Sequence, residues 1–480
     1  MSKPILRLYG LVLVLFTTLV VATSWSTVFG AEGLRDNPLN QRSLLQELQI
    51  RRGLILAADG RTVLARSVRG PGHTFERSYP TPALFSHEVG YSNARLGQRV
   101  GLERSRNAAL TGDTNELGSI FDQLSGKERE GQNVVTTLDP QAQKLAIDLL
   151  GNRKGSVVAL DPRSGAIRVM ASFPGFDPNK LPSGPEQAAL GSPLLNRATQ
   201  AHYPPGSTFK VVTAAAALDT GRFTPSSVLS GRSPITVSGV PLANDNGDQY
   251  GPIDLTAALT KSVNTVWAQV AVRLGRATMA KYMQRFGFYK TPQLDYPKSQ
   301  LAVSRVFSFR GAPLGPDSKQ TDIGRVGIGQ GGLGVTPLQM ATVASAVANG
   351  GRLMRPHLTD RIVDRDGRTV QRIGSHLQAT VMSAGAARSL GKMMQQVVKD
   401  PEGTGTAAQI GGTAVAGKTG TAQVGNQGSN LTQPWFIAFA PADNPKVAIA
   451  VTVERSQGGF GGTVAAPIAK RVLEALLPRG

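Results

Sequence analysis

The 480-residue chain has no cysteine. That excludes a disulfide scaffold, thiolate metal sites, iron–sulfur clusters and cysteine nucleophiles together. Histidine is scarce. The five present (His73, His87, His202, His357 and His376) lie far apart, with no His-Glu-x-x-His or His-x-His spacing. A histidine metal centre is not expected, no cofactor is called for, and nucleophilic chemistry must find a base other than histidine. Acidic residues are also in deficit, 32 against 52 Lys and Arg, for a net charge of +20. With 40% hydrophobic and 18% charged residues the chain can build a packed core, and wholesale disorder is not expected. There is no internal repeat and no low-complexity segment. At about 100–200 residues per domain, the length suggests two to four domains.

Only one stretch is long and apolar enough to span a bilayer. Between Arg7 and Glu32 lie 24 uncharged residues, enough to cross a hydrocarbon core of ~30 Å as a helix. Lys3 and Arg7 precede it, which puts the N-terminus in the cytoplasm and the remainder outside. A cleaved signal peptide is the rival reading. Ser24 and Ser26 are small enough for a cleavage site, whereas Phe29 before Ala31 is a poor fit. An uncleaved anchor is the better reading. An external basic protein makes nucleic acid an unexpected partner and the cell envelope the expected setting. The charge is concentrated beyond residue 150, where the balance is +17, suited to an anionic wall or lipid-linked pyrophosphate.

Punctuation then divides the chain. Residues 52–65 read as two short strands about Asp59-Gly60, a hairpin signal. Gly101-Leu102-Glu103 begins a short helical stretch. Asp139-Pro140 is an N-cap followed by proline at the first helical position, opening a helix to about Leu150. Residues 156–172 form two apolar strands joined by a turn over 161–165. After Pro204-Pro205-Gly206 an alanine-rich helix is expected over 207–220. Another opens at Thr336-Pro337 and closes on Asn349-Gly350-Gly351. Residues 435–440 and 447–454 form a second hairpin, and 463–477 a last amphipathic helix. Hairpins at both ends with helices between indicate an antiparallel sheet faced by helices, an α/β (α+β) architecture.

Three short strings carry chemistry. In Ser207-Thr208-Phe209-Lys210 the i, i+3 spacing puts the amine and the hydroxyl on one helix face. Ser207 at a helix start also aims its backbone N–H at developing negative charge. A serine hydroxyl needs a base, and a lysine is one only if burial or a nearby cation lowers its pKa. Lys418 is the candidate cation. In Ser262-Val263-Asn264, on a loop between helices, Ser262 can pass a proton to a leaving amine and Asn264 can hold a substrate amide. Lys418-Thr419-Gly420-Thr421 reads as an edge strand to which a peptide could add. Its Thr421 N–H would pair with that of Ser207 as an oxyanion hole, and Lys418, Thr419 and Thr421 would bind a terminal carboxylate. Each string alone is weak. Ser389 and Lys392 repeat the first spacing inside a helical run and mark its chance frequency. Asp59 and Asp161 read as turn residues, and Trp435 and Phe436 as core. Gln330 and Gly331 fit a tight turn as well as a site wall.

In this order, Ser-x-x-Lys, Ser-x-Asn and Lys-Thr-Gly resemble the signature of penicillin-binding proteins and serine β-lactamases. Tyr203-Pro204-Pro205-Gly206, Gly329-Gln330-Gly331, residues 336–341 and 435–441 extend the resemblance. So do Arg52-Gly53, Asp59-Gly60, Gly101-Leu102-Glu103 and residues 137–141. The chain looks like a class B penicillin-binding protein of the short actinobacterial type. The resemblance implies a cytoplasmic tail over 1–8, a transmembrane signal-anchor helix over 9–30, a small mixed pedestal or dimerisation-like linker over 31–150, and a transpeptidase domain over 151–480. It implies Ser207 as acyl nucleophile, Lys210 as its base, Ser262 and Lys418 as further catalytic groups, and Asn264, Thr419, Gly420 and Thr421 as substrate-binding. The reaction implied is D,D-transpeptidation of peptidoglycan stem peptides ending in D-Ala-D-Ala, with β-lactams acylating Ser207. A plasma-membrane location, roles in cell shape and division, and a polytopic glycosyltransferase partner follow from the same resemblance. A bifunctional enzyme would need a glycosyltransferase domain ahead of the linker, for which there is no room. A D,D-carboxypeptidase, with water as acceptor, and a non-catalytic β-lactam- or muropeptide-binding scaffold are the alternatives.

Overall fold

The computed structural model describes residues 3–28, 48–112, 130–425 and 429–478. Helix α1 (Lys3–Val28) begins six residues before the expected start of the anchor, because Lys3 and Arg7 sit within its first turns. Its segment Lys3–Trp25 is long and apolar enough to cross a membrane. Residues 29–47, which include the expected end of the anchor and the start of the linker, lie outside the described residues.

A first sheet gathers around β1 (Ile55–Leu56), β2 (Val63–Arg69) and β3 (Phe75–Ser78). The expected hairpin is present. The Asp59 carboxylate accepts the Arg61 and Thr62 N–H groups in its turn, so Asp59 is a turn residue. Helix α2 (Ser86–Val89) and helix α3 (Gly101–Ser105) follow. Strand β4 (Asn133–Thr136) pairs parallel with β1. On α3, Glu103 is fully buried between Arg52 at 2.8 Å and Arg77 at 2.5 Å. Burial pushes this carboxyl up, but the two guanidinium charges and their hydrogen bonds outweigh it and hold it below the usual range.

The Asp139 carboxylate caps helix α4 (Pro140–Leu150), accepting from the Gln141 and Ala142 N–H groups as its sequence predicts. Strands β5 (Gly155–Leu160) and β6 (Ile167–Phe173) come next. Beyond the central helices, β7 (Thr359–Val363) and β8 (Thr369–Arg372) leave the second half of the chain and join the first sheet, giving the order β8-β7-β4-β1-β2-β3. The segment 151–480 therefore lends two strands to the sheet built by residues 55–136. This departs from the sequence reading, which divides the chain at residue 150. Strand pairing over more than 200 residues leaves no local signal.

The second sheet is antiparallel. It adds β9 (Ala416–Gln423), β10 (Leu431–Ala440) and β11 (Val447–Val453) in the order β9-β10-β11-β5-β6. Every residue of β5 and β11 is buried, as expected where helices cover both faces. Alternate residues point to opposite sides. Val158 and Ala450 face a core with the central helices, whereas Val157 and Val451 face α4 and a C-terminal helix over Ala466–Leu476. That last helix is preceded by a single π-helical turn, Gly461–Ala465, where the sequence reads continuous α-helix from 463. Trp435 and Phe436 are core residues with no exposure.

Where the two sheets meet, α2 buries Glu88 against α4. Gln143 Nε2 donates to Glu88 Oε1 at 2.9 Å, while among the described residues Oε2 is buried without a partner. Burial raises this carboxyl to about 8, and its hydrogen bonds offset only part of that rise. A group whose folded pKa exceeds its unfolded one favours the fold fully below the unfolded value of about 4.3 and loses that contribution as pH climbs to the folded value. Glu88→Gln should therefore stabilise the protein at about pH 8 by on the order of 1–3 kcal/mol and flatten the decline in Tm from acidic to alkaline pH. An unchanged slope in thermal melts across that range would contradict the assignment.

Candidate active site

The turn that carries Ser207 departs from the sequence reading. Ser207 lies in a 3-10 turn, Gly206–Phe209, and α5 (Lys210–Asp219) begins only at Lys210. In a 3-10 turn residues i and i+3 eclipse, so Ser207 and Lys210 project to one side more directly than an α-helix would place them. The Ser207 N–H belongs to this first turn, where no intrahelical acceptor is available. Gly206 has φ +53, and a Cβ there would lie 2.7 Å from the Thr421 carbonyl oxygen. Only glycine fits both the backbone angle and the contact. Its N–H donates to Gly329 O at 3.1 Å, and a Cβ on Gly329 would lie 1.9 Å from Gly206 O. The Gly329-Gln330-Gly331 string is thus the tight turn that backs Gly206 and the turn that carries Ser207. On the other side, Trp435 Nε1 donates to Pro204 O at 3.0 Å.

The second string enters between α6 (Leu255–Thr260) and α7 (Asn264–Leu274). Ser262 holds φ +60, uncommon for a residue with a Cβ, and Asn264 is the first residue of α7. Lys210 Nζ lies 2.6 Å from Ser262 O, 3.2 Å from Ser262 Oγ and 2.7 Å from Asn264 Oδ1. The first two strings are therefore one hydrogen-bonded cluster. Among the described residues, Ser207 Oγ makes no hydrogen bond to Lys210; the amine is held on the Ser262 side.

The third string is β9, the edge of the antiparallel sheet, as the sequence predicts. Gly420 passes so close to the Ser207 turn that a Cβ would lie 2.6 Å from Pro205 O. The Thr419 hydroxyl bonds that of Thr404 at 2.6 Å, and Thr421 Oγ1 accepts the Gly461 N–H at 3.1 Å. Lys418 Nζ donates to Thr419 O at 3.2 Å. Ser389 and Lys392 stay on the helix Ala384–Lys399, away from this cluster.

Electrostatics follow from burial. Lys210 and Lys418 are both fully buried. Burial, reinforced by the Lys418 charge, holds Lys210 well below the usual ammonium range. Burial likewise lowers Lys418 to about 7. Asp245 opposes both shifts. It lies in an exposed turn over Asp245–Gly247, and its Oδ1 accepts from Asn264 Nδ2 at 3.2 Å. Nothing in its sequence context singles it out, because Asp-Asn-Gly-Asp reads as an ordinary loop. Among the described residues no group of His, Asp and Glu is placed to hold a metal ion.

Three segments that lie 55 and 156 residues apart thus close on one cluster. A family model described as penicillin binding protein transpeptidase domain matches residues 155–474. The chain belongs to the penicillin-binding protein transpeptidase family. A second family model, penicillin binding protein A dimerisation domain, matches residues 52–134. The chain is 36% identical to a peptidoglycan D,D-transpeptidase PbpA of Mycolicibacterium smegmatis, with 100% of each chain covered. It is 36% identical to the protein of the same name from Mycobacterium tuberculosis, over 99% of each. The structure of penicillin-binding protein A from M. tuberculosis in its ceftriaxone acyl-enzyme complex superposes with a TM-score of 0.80 at 34% identity, covering 90% of this chain and 100% of that one. A D,D-transpeptidase domain from Eggerthella lenta gives a TM-score of 0.77 at 32% identity, over 89% and 99%. This penicillin-binding protein accordingly has the mixed α/β transpeptidase fold with an apolar N-terminal helix, and the class B resemblance drawn from its motifs holds.

Two outcomes are expected of the site. Gly420→Ala should push β9 off the Ser207 turn and slow acylation by a β-lactam about 10²-fold, the usual scale for a misplacement near 1 Å; stopped-flow rates equal to wild type would contradict the close approach. A base must be unprotonated to act, so acylation should be present at neutral pH and be lost as pH falls through the lowered Lys210 pKa. A rate profile with its half-maximum near 10.5, the ordinary lysine value, would contradict it.

Proposed function

We propose that this chain cross-links peptidoglycan as a serine-type D,D-transpeptidase, with the residues of the three strings in the following roles. Ser207 Oγ attacks the carbonyl carbon of the penultimate D-alanine, and neutral Lys210 takes the hydroxyl proton. The C–N bond breaks, the proton passes by way of Ser262 to the departing amine, and D-alanine leaves. An amine of a neighbouring stem peptide then attacks the ester carbon, releases Ser207, and returns the proton along the same path. The Ser207 N–H, at the start of its turn, and the N–H of Thr421 stabilise the oxyanion. Asn264 holds the substrate amide. The substrate adds beside β9, with Lys418, Thr419 and Thr421 at its carboxylate and Gly420 letting that strand lie against the turn that carries Ser207. β-Lactams acylate the same serine.

The observation that carries this reading is the bonding of Lys210 Nζ to both Ser262 and Asn264, in a buried setting that, with the charge of Lys418 beside it, lowers its pKa. Catalytic hydrogen bonds often tighten only in the substrate complex, which accounts for the missing bond to Ser207. The helix α1 anchors the enzyme in the plasma membrane, with the N-terminus cytoplasmic and both sheets outside. A polytopic glycosyltransferase of the shape, elongation and division type is the partner that the family resemblance supports.

Intact mass of the full chain in detergent after exposure to benzylpenicillin tests the reading. One adduct is expected on the wild type and none on Ser207→Ala. An adduct retained by Ser207→Ala would remove Ser207 from the mechanism. Rapid loss of the wild-type adduct with accumulation of hydrolysed drug would point to a β-lactamase instead.

A further inference from the structure

We propose that Asp245 is a positioning residue of the acylation site: its carboxylate fixes the Asn264 amide against Lys210 and supplies the negative charge that balances the Lys210–Lys418 pair. The proposal rests on the roles given above to Ser207 and Lys210.

An asparagine amide is nearly symmetric in shape, so its partners decide which end faces where. Lys210 Nζ is a donor and takes Oδ1 at 2.7 Å. That leaves Nδ2, which needs acceptors, and its two partners are Asp245 Oδ1 at 3.2 Å and Ala243 O at 3.3 Å. An ionised carboxylate accepts only, so Asp245 cannot be satisfied by the other end of the amide. The turn that presents it is itself fixed. Asn244, buried beside it, accepts the Thr265 N–H at 3.0 Å and donates to Gly231 O at 3.1 Å and Asp248 O at 2.9 Å. Asn246 closes the turn with φ +55.

The charges around Asp245 come from four segments. Lys210 faces it from α5 and Lys418 from β9. On its own loop are Asp248 and Tyr250, with the Tyr250 hydroxyl 3.3 Å from Asp248. Lys261, before Ser262, lies 5.8 Å from the Tyr250 ring centroid and pairs with Glu402 at 2.9 Å, so its charge is already matched. Asp245 is left as the carboxylate that acts on both catalytic lysines, and it favours the proton on each. Without it both amines would release their protons at lower pH.

The test is the pH dependence of acylation by benzylpenicillin, followed by intact mass on the full chain in detergent at low ionic strength. Asp245→Asn keeps an oxygen acceptor for Asn264 and removes the charge. Its acid limb should move to lower pH by about half a unit or more, with the maximum rate little changed. Asp245→Ala should show the same shift and lose about tenfold in maximum rate, the scale of one hydrogen bond of about 1.4 kcal/mol. Asp248→Asn, a carboxylate of the same loop outside reach of Asn264, should reproduce the wild-type profile. An Asp245→Asn profile superimposed on the wild type overturns the electrostatic role. An Asp245→Ala maximum equal to that of Asp245→Asn overturns the role in holding the amide. Should Asp245→Ala fail to fold, the isosteric Asp245→Asn decides alone. A wild type that forms no adduct overturns the site as a whole, whereas an adduct with an unmoved limb overturns only the part given to Asp245.

Discussion

Two lysine side chains buried in one site cannot both be ordinary ammonium ions. Lys210 and Lys418 have no exposed surface, and each charge in so dry a setting costs several kcal/mol unless it is matched. Asp245 is the anion that acts on them, and it stands at the exposed rim. Burial, reinforced by the Lys418 charge, pushes Lys210 strongly toward the neutral amine. A neutral amine has two N–H donors and one lone pair. Ser262 O and Asn264 Oδ1 accept the donors, which leaves the lone pair for a hydroxyl, and that of Ser262 lies 3.2 Å away. Such a lone pair is what the role of base proposed for Lys210 requires.

That chemistry depends on backbones approaching more closely than side chains allow. Gly206, Gly329 and Gly420 each sit where a Cβ would collide with the carbonyl of a neighbouring segment. They let the Ser207 turn be clamped between the turn at 329–331 and the edge strand β9. Trp435 anchors the same turn from β10 through Pro204. The antiparallel sheet, buried on both faces, is the rigid body that holds β9 in place, and the fully buried helix Pro337–Ala348 braces the face turned toward the site.

Much of this was legible in the sequence because it is local. The Asp139-Pro140 cap predicts a helix over 140–150, and the helix runs over those residues. Thr336-Pro337 and Asn349-Gly350 likewise bracket the helix that forms. Apolar runs joined by turns give β5, β6, β10 and β11, and the three strings name the residues that cluster. What was not legible depends on partners distant in sequence. Residues 359–363 read as part of the second half of the chain, yet pair with the strand at 133–136 and bring 369–372 with them. The 3-10 turn at Ser207 follows from contacts of Gly206 with Gly329 and Thr421, not from propensity. Asp245 is visible only once its loop lies against Asn264.

The claim on which the rest depends is the protonation state of the two lysines, and neutron diffraction from crystals of the protein exchanged into heavy water reads it directly. At neutral pH the nuclear density should show two deuterons on Lys210 Nζ, the amine that burial and the Lys418 charge hold well below the usual ammonium range. Three deuterons on Lys210 would contradict the account, because its amine would then be no base.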